Sequence, residues 1–152
     1  MALVDQVDQA LTAAMKAGDA ATLSTLRMLK AAFMNAAIEQ RQERLADPQA
    51  QEVLRRQIKQ RRESLEAFQK GQRPDLAEKE SKELAVLEKY LPPQMSEAAL
   101  RAIVQECVQA SGTTGPKEMG KVMKLVMERV KGQADGKMVN QLVAQALGAG
   151  GR

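Results

Sequence analysis

Residues 115–139 read GPKEMGKVMKLVMERVKGQADGKMV, and this stretch shows most clearly how the chain folds. Gly132 predicts the end of a helix, because glycine readily adopts the left-handed conformation that follows a last helical turn. Asp135 is placed to cap the helix after it. Apolar residues recur before Gly132 at steps of three and four, which puts them on one helical face. They are Met119, Val122, Met123, Val126 and Val130.

Basic residues lie off this apolar face and give the stretch its chemical character. They outnumber the three acids of the same stretch, Glu118, Glu128 and Asp135. We expect them on the outer edge of a packed helical pair, where they could bind a phosphate backbone. The six basic residues of this predicted edge are Lys117, Lys121, Lys124, Arg129, Lys131 and Lys137.

The composition of the whole chain favours an all-α fold. Of its 152 residues 44% are hydrophobic but only 2% are aromatic, so the core must consist of Leu, Val, Ala and Met. Ala and Leu have high helix propensity, and no segment shows the alternation of a strand. Pro92-Pro93 ends a helix and marks a boundary. We expect an extended domain of about four helices over residues 1–92 and a three-helix bundle over residues 96–148.

Apolar periodicity and helix-ending residues predict seven helices. Asp47, followed by proline, is expected to cap the third helix, and Ser96 the fifth. A turn is expected over residues 111–116 and a frayed tail over residues 148–152. The first four helices are predicted at residues 3–17, 20–45, 47–70 and 74–91, and three shorter helices follow Ser96.

Several classes of enzyme are excluded by missing residues. The chain has one cysteine, Cys107, and no histidine, so it can form neither an internal disulfide nor a His/Cys zinc site. Residues 115–121 match the start of a nucleotide-phosphate loop, but Val122 stands where that motif needs Ser or Thr, and no strand precedes it. The acids Glu78, Glu80 and Glu83 are expected to be dispersed and exposed. No catalytic group, metal or cofactor is expected.

A second basic cluster, RRQIKQRR, covers residues 55–62. Arg55, Lys59 and Arg62 share one side of a helix with Arg56 close by, and could follow a phosphate backbone. A solvated face whose cations pair with acids one turn away is the favoured alternative. The expected pairs are Glu52 with Arg56, Lys59 with Glu63, and Arg62 with Glu66.

The chain carries no sign of export at its start. Its first residues, MALVDQVDQALTAAMK, include two aspartates and lack the continuous apolar run of a secretory signal. We therefore expect the protein in the cytoplasm.

Five blocks spread along the chain resemble the YqeY family: LSTLRMLK at 23–30, KQRRES at 59–64, DLAEKE at 75–80, YLP at 90–92 and MGKVM at 119–123. Residues 126–135, VMERVKGQAD, are similar to the C-terminal tail of the GatB chain of the glutamyl-tRNA(Gln) and aspartyl-tRNA(Asn) amidotransferase. That tail usually reads V-M-K-x-x-K/R-G-x-A-N/D. Two residues depart from the pattern: Glu128 stands where the tail usually has Lys, and Gly136 where it often has Pro.

This resemblance implies two helical domains and a role with tRNA. The amidotransferase tail grips the body of the tRNA, while other domains and subunits perform the chemistry. A glutamine-dependent carbon–nitrogen ligase activity is therefore expected of associated proteins and not of this chain. We expect an accessory, non-catalytic tRNA-binding protein, with Gly120 and Gly132 allowing close approach of the backbone. The alternative is a helical module that docks on an aminoacyl-tRNA synthetase or an amidotransferase subunit.

Overall fold

The computed structural model of the chain describes residues 1–112 and 115–150. Within them the regular structure is entirely helical, with seven α-helices and a 3₁₀ turn at Pro116–Glu118. The all-α prediction is confirmed. None of the helices in this part of the chain is long and apolar enough to cross a membrane. The helices are α1 (Leu3–Ala17), α2 (Ala20–Glu39), α3 (Asp47–Lys70), α4 (Pro74–Glu88), α5 (Glu97–Ser111), α6 (Met119–Val130) and α7 (Gly136–Gly150).

The chain divides into two compact units, the first covering Met1–Leu91 and the second beginning at Pro92. The core of the first unit is built by α1 to α4, around Leu26, Leu29 and Leu54, which are at most 1% exposed. Phe33 joins them at 3% exposure. Aliphatic side chains of high helix propensity therefore fill this core, as the composition indicates.

The second helix ends at Glu39, well before the predicted end at Leu45. Arg41 has a positive φ of 54°, which breaks the helical path. The chain then turns back, so that Leu45 is buried and Arg44 forms an ion pair with Asp5 of α1. The predicted end was wrong because the burial of Leu45 and the ion pair of Arg44 depend on residues far away in sequence. Helical periodicity does not predict such contacts.

Asp47 caps a different helix from the one predicted. It is the first residue of α3, whose cap position is Ala46, and the Ala46 N–H donates to Gln49 Oε1 at 3.3 Å. The Asp47 carboxylate instead accepts from the backbone N–H of Leu3, the first residue of α1, at 2.8 Å. The start of α1 needs such an acceptor, because its own cap residue, Ala2, has none.

Two acids predicted to be exposed are enclosed between α3 and α4. The side chains of Glu80 and Glu83 are 11% and 14% exposed, and both contact Arg61 Nη1, at 3.2 and 3.1 Å. Glu78 is exposed as predicted and pairs with Lys82. The prediction was wrong for Glu80 and Glu83 because their partner lies on another helix.

The second unit has its own core, formed by α5, α6 and α7. Val122, Val126 and Val130 are fully buried in it, and the methionines of α6 are half-buried and pack against its edge. Cys107 is also part of this core, at 3% exposure. The apolar face predicted for residues 119–130 is thus a core face.

Both predicted caps of the second unit are confirmed. Ser96 Oγ accepts from the N–H of Ala99 at 3.1 Å, and Asp135 Oδ1 accepts from the N–H of Lys137 at 3.0 Å. The turn predicted over residues 111–116 lies partly outside the described residues, as does the end of the tail. Residues 148–150 continue α7, and fraying of the tail stays a prediction.

Candidate functional site

The predicted basic edge contains a row of three lysines, Lys117 on the 3₁₀ turn and Lys121 and Lys124 on α6. Their spacings of four and three residues place them on one side of the helix, opposite the buried Val122 and Val126. All three are exposed. Within residues 1–112 and 115–150 no ion pair or side-chain hydrogen bond involves them. We call these three residues the lysine row.

Arg129 differs from the lysine row because it has a partner. Its Nη1 lies 2.6 Å from Glu106 Oε2 of α5. The hydrogen bond to Glu106, followed by one to Cys107, raises the pKa of Arg129. The guanidinium is therefore directed at α5, and its part in binding an anion stays a prediction.

Lys131, Gly132 and Lys137 lie at the turn between α6 and α7. Lys131 and Gly132 both have positive φ, 45° and 81°, so the lysine itself takes the left-handed cap position that was expected of the glycine. The side chain of Gln94 donates to the Gly132 carbonyl at 3.2 Å, which ties down the turn. Lys131 and Lys137 are exposed, and no ion pair of the described residues includes them.

Gly120 lies between the first two members of the lysine row and is exposed. A Cβ placed there would meet no heavy atom within 4 Å. Packing within the described protein therefore does not require a glycine at this position.

Two exposed acids limit the lysine row, and Glu118 is one of them because it lies between Lys117 and Lys121 in sequence. Glu128 follows Lys124 by four residues, so it lies on the same side of α6 at the far end of the row. It reduces the positive potential there.

The second basic cluster is mostly engaged in ion pairs. Lys59 pairs with Glu63 at 3.9 Å, as expected. Arg62 pairs with Glu88 of α4 at 3.0 Å rather than with Glu66, so that expectation was wrong. Arg56 is exposed and Arg55 half-buried. A solvated, ion-paired face describes this cluster better than an anion site.

Sequence reasoning missed an apolar surface on the outer side of α2. Met28, Met34 and Ile38 are 49%, 56% and 71% exposed there. Ala31 and Asn35 continue the same side. The signal was present in the sequence, since α2 is apolar on more than one side, and a helix of that kind usually packs on both.

Comparison with known proteins places the chain in a family and finds a relative. A family model described as Yqey-like protein matches residues 4–147, which confirms the resemblance seen in the five sequence blocks. The chain is also similar to altered inheritance of mitochondria protein 41, mitochondrial, from Pyrenophora tritici-repentis (strain Pt-1C-BFP). The two are 30% identical over 139 residues, which cover 90% of this chain and 76% of that protein. The likeness to the amidotransferase tail stays a prediction.

Proposed function

Because the chain belongs to the YqeY-like protein family, we propose that it is an accessory RNA-binding protein that grips the body of a tRNA through the basic edge of its second unit. The observation that carries this proposal is the lysine row. Three exposed ammonium groups follow one side of α6 without an ion pair among the described residues. Such groups are available to a polyanion, because none of them forms an ion pair with a carboxylate of the described residues.

The residue types of the edge favour contact with the RNA backbone over base recognition. Lysine acts as a point charge toward phosphate. Stacking on unpaired bases needs aromatic rings, but the aromatic residues of this chain, Phe33, Phe68 and Tyr90, all belong to the first unit. Structured RNA, recognised by its shape and its phosphates, is thus the ligand that suits the second unit.

The length of the lysine row also suits a backbone. Seven residues separate Lys117 from Lys124, which corresponds to roughly 10 Å along a helix axis. The row is therefore long enough for its members to contact different phosphates of one strand.

The salt dependence of tRNA binding tests the proposal. We expect Lys117/Lys121/Lys124→Ala to weaken binding of unfractionated tRNA. The slope of log affinity against log salt should fall by about one unit for each phosphate that the variant no longer neutralises. Fluorescence anisotropy titrations at about 50 to 300 mM KCl measure both the affinity for tRNA and its salt slope.

Matched variants distinguish a binding site on α6 from a general effect of the protein's positive charge. Lys16/Lys70/Lys89→Ala removes the same charge from exposed positions of the first unit and should leave the slope unchanged. Glu128→Lys extends the row and should steepen the slope. Equal loss of affinity in both triple variants would contradict a binding surface on α6.

The contribution of Lys131 is best tested with Lys131→Gly. Glycine removes the charge and readily adopts the positive φ of this position.

One observation favours a second candidate function, a module that docks on a synthetase or amidotransferase subunit. The outer side of α2 exposes the large apolar side chains of Met28, Met34 and Ile38, which lie near one another on one side of the helix. This candidate predicts that tRNA binding is weak and insensitive to the lysine row. It also predicts that Ile38→Gln weakens calorimetric binding of a purified synthetase or amidotransferase.

A further inference from the structure

A cavity of about 330 Å³ opens between α2 and α4 of the first unit. None of its lining residues belongs to the basic edge. Its size is within the range of small-molecule sites in proteins. Its walls are largely apolar and include Ala21 of α2 and Val86 of α4. Thr25 also lines it, but the Thr25 hydroxyl already donates to the Ala21 carbonyl at 3.0 Å. Asp19 is a further polar lining residue, and its carboxylate already accepts from the N–H of Thr22 at 3.1 Å. The apolar part of the wall offers room for an apolar group of modest size.

One wall of the cavity is formed by a carboxylate that belongs to a buried charge cluster. Glu83 lines the cavity, and its Oε2 is 3.1 Å from Arg61 Nη1. Arg61 is shared with Glu80, so one cation serves two anions and the cluster has a net charge of −1. The three side chains are only 11% to 20% exposed. Because Glu83 shares Arg61 with Glu80, its carboxylate favours a further positively charged group, such as that of a ligand, beside it.

Two lysines line the same cavity. Lys79 and Lys82 are three residues apart on α4, so they lie on one side of that helix. Both are exposed, and Lys82 has only a solvated pair with Glu78 at 3.3 Å. Within the described residues Lys79 has no ion pair. These ammonium groups favour a negatively charged ligand group.

We propose that this cavity binds a small zwitterion with an apolar side chain, that is, an α-amino acid. The ammonium group of the ligand approaches Glu83, its carboxylate approaches Lys79 and Lys82, and its side chain contacts Ala21 and Val86. A ligand with only one charge matches the lining less well. An anion gains nothing from Glu83, and an amine leaves the two lysines without a partner.

An NMR titration of the full chain with L-leucine tests the assignment. We expect the amide signals of residues 19–25 and 79–86 to shift with saturation. Two analogues remove one charge each: 4-methylpentanoate lacks the ammonium group, and 3-methylbutylamine lacks the carboxylate. Each should bind at least about tenfold more weakly, the factor that corresponds to losing one modest charge interaction. Absence of shifts with leucine, or equal binding of either analogue, overturns the proposal.

Variants assign the two ends of the ligand. Lys79→Ala/Lys82→Ala, at exposed positions, should weaken leucine binding, whereas Lys59→Ala/Lys70→Ala serves as the matched control and should not. Glu83→Gln should weaken leucine binding but strengthen binding of 4-methylpentanoate, because it removes a repelling charge. A loosened structure would weaken both ligands, so this reversal of sign distinguishes recognition from damage. Weakening of both ligands by Glu83→Gln therefore counts against the proposal.

Discussion

At the residue scale, the Asp47 carboxylate joins two parts of the first unit that are far apart in sequence. It accepts from the N–H of Leu3, 44 positions earlier, at 2.8 Å. A helix start leaves several N–H groups without partners, and a nearby side chain usually accepts from one of them. Here the acceptor comes from the beginning of α3, so this hydrogen bond connects the start of α1 to the start of α3.

Replacement of Asp47 measures this contribution. We expect Asp47→Ala to lower the free energy of unfolding by about 1 kcal/mol, the usual loss when a helix start loses its acceptor. Asp47→Asn should cost less, because the amide oxygen still accepts from Leu3. Urea denaturation gives both values. An equal loss in the two variants would indicate that the charge, and not the hydrogen bond, is responsible.

Asp19, the cap of α2, predicts an acid-sensitive contribution to stability. Hydrogen bonds from the Thr22 side chain and then its backbone N–H lower the pKa of Asp19 below the ordinary 3.8. A lowered native pKa stabilises the fold above the unfolded value, and this stabilisation is lost as the pH falls through the native value. Wild type should therefore be more stable than Asp19→Asn at pH 6, and the difference should disappear in stronger acid. Thermal unfolding from pH 6 to about pH 2 checks it.

At the element scale, the α3–α4 pair contains the charge cluster of Arg61, Glu80 and Glu83. Nη1 of Arg61 contacts both carboxylates, at 3.2 Å from Glu80 Oε2 and 3.1 Å from Glu83 Oε2, while Arg61 Nε has no hydrogen-bond partner among the described residues. Such a cluster is no proof of high stability, because burying charges is costly. Removal of the shared cation alone, however, leaves two carboxylates facing each other.

Two adjacent arginines of α3 allow a direct comparison. We expect Arg61→Ala to destabilise the protein by about 2 to 3 kcal/mol, because two enclosed carboxylates lose their counter-charge. Arg62→Ala should cost less than about 1 kcal/mol, since its pair with Glu88 is exposed to solvent. Guanidinium chloride would screen these pairs, so urea is the better denaturant. Similar losses in the two variants would contradict a special role for Arg61.

The same scale shows which helix ends can be predicted from sequence. The end of α1 is encoded locally, because Gly18 supplies the left-handed residue, φ 70°, at the expected position. The end of α2 is not, because it depends on the burial of Leu45 and on the pairing of Arg44 with α1. Apolar periodicity reflects residues that are close in sequence. It carries no information about contacts between residues that are far apart in sequence.

At the scale of the whole molecule, charge is unevenly distributed. Residues 93–152 carry 8 basic and 5 acidic side chains, a surplus of 3, out of a total of +4. The lysine row could be predicted from spacing, since residues opposite a buried face are exposed. The partner of Arg129 and the cavity between α2 and α4 could not, because each requires knowing which helices are neighbours.

The bond between Asp47 and Leu3 has a consequence for synthesis on the ribosome. Helix α1 is translated before its capping carboxylate, which follows Leu3 by 44 residues. A lone segment of 15 residues is marginally helical in water. Helix α1 therefore gains this hydrogen bond only after Asp47 has been made, and a pause in translation before Asp47 leaves α1 open to chaperones and proteases.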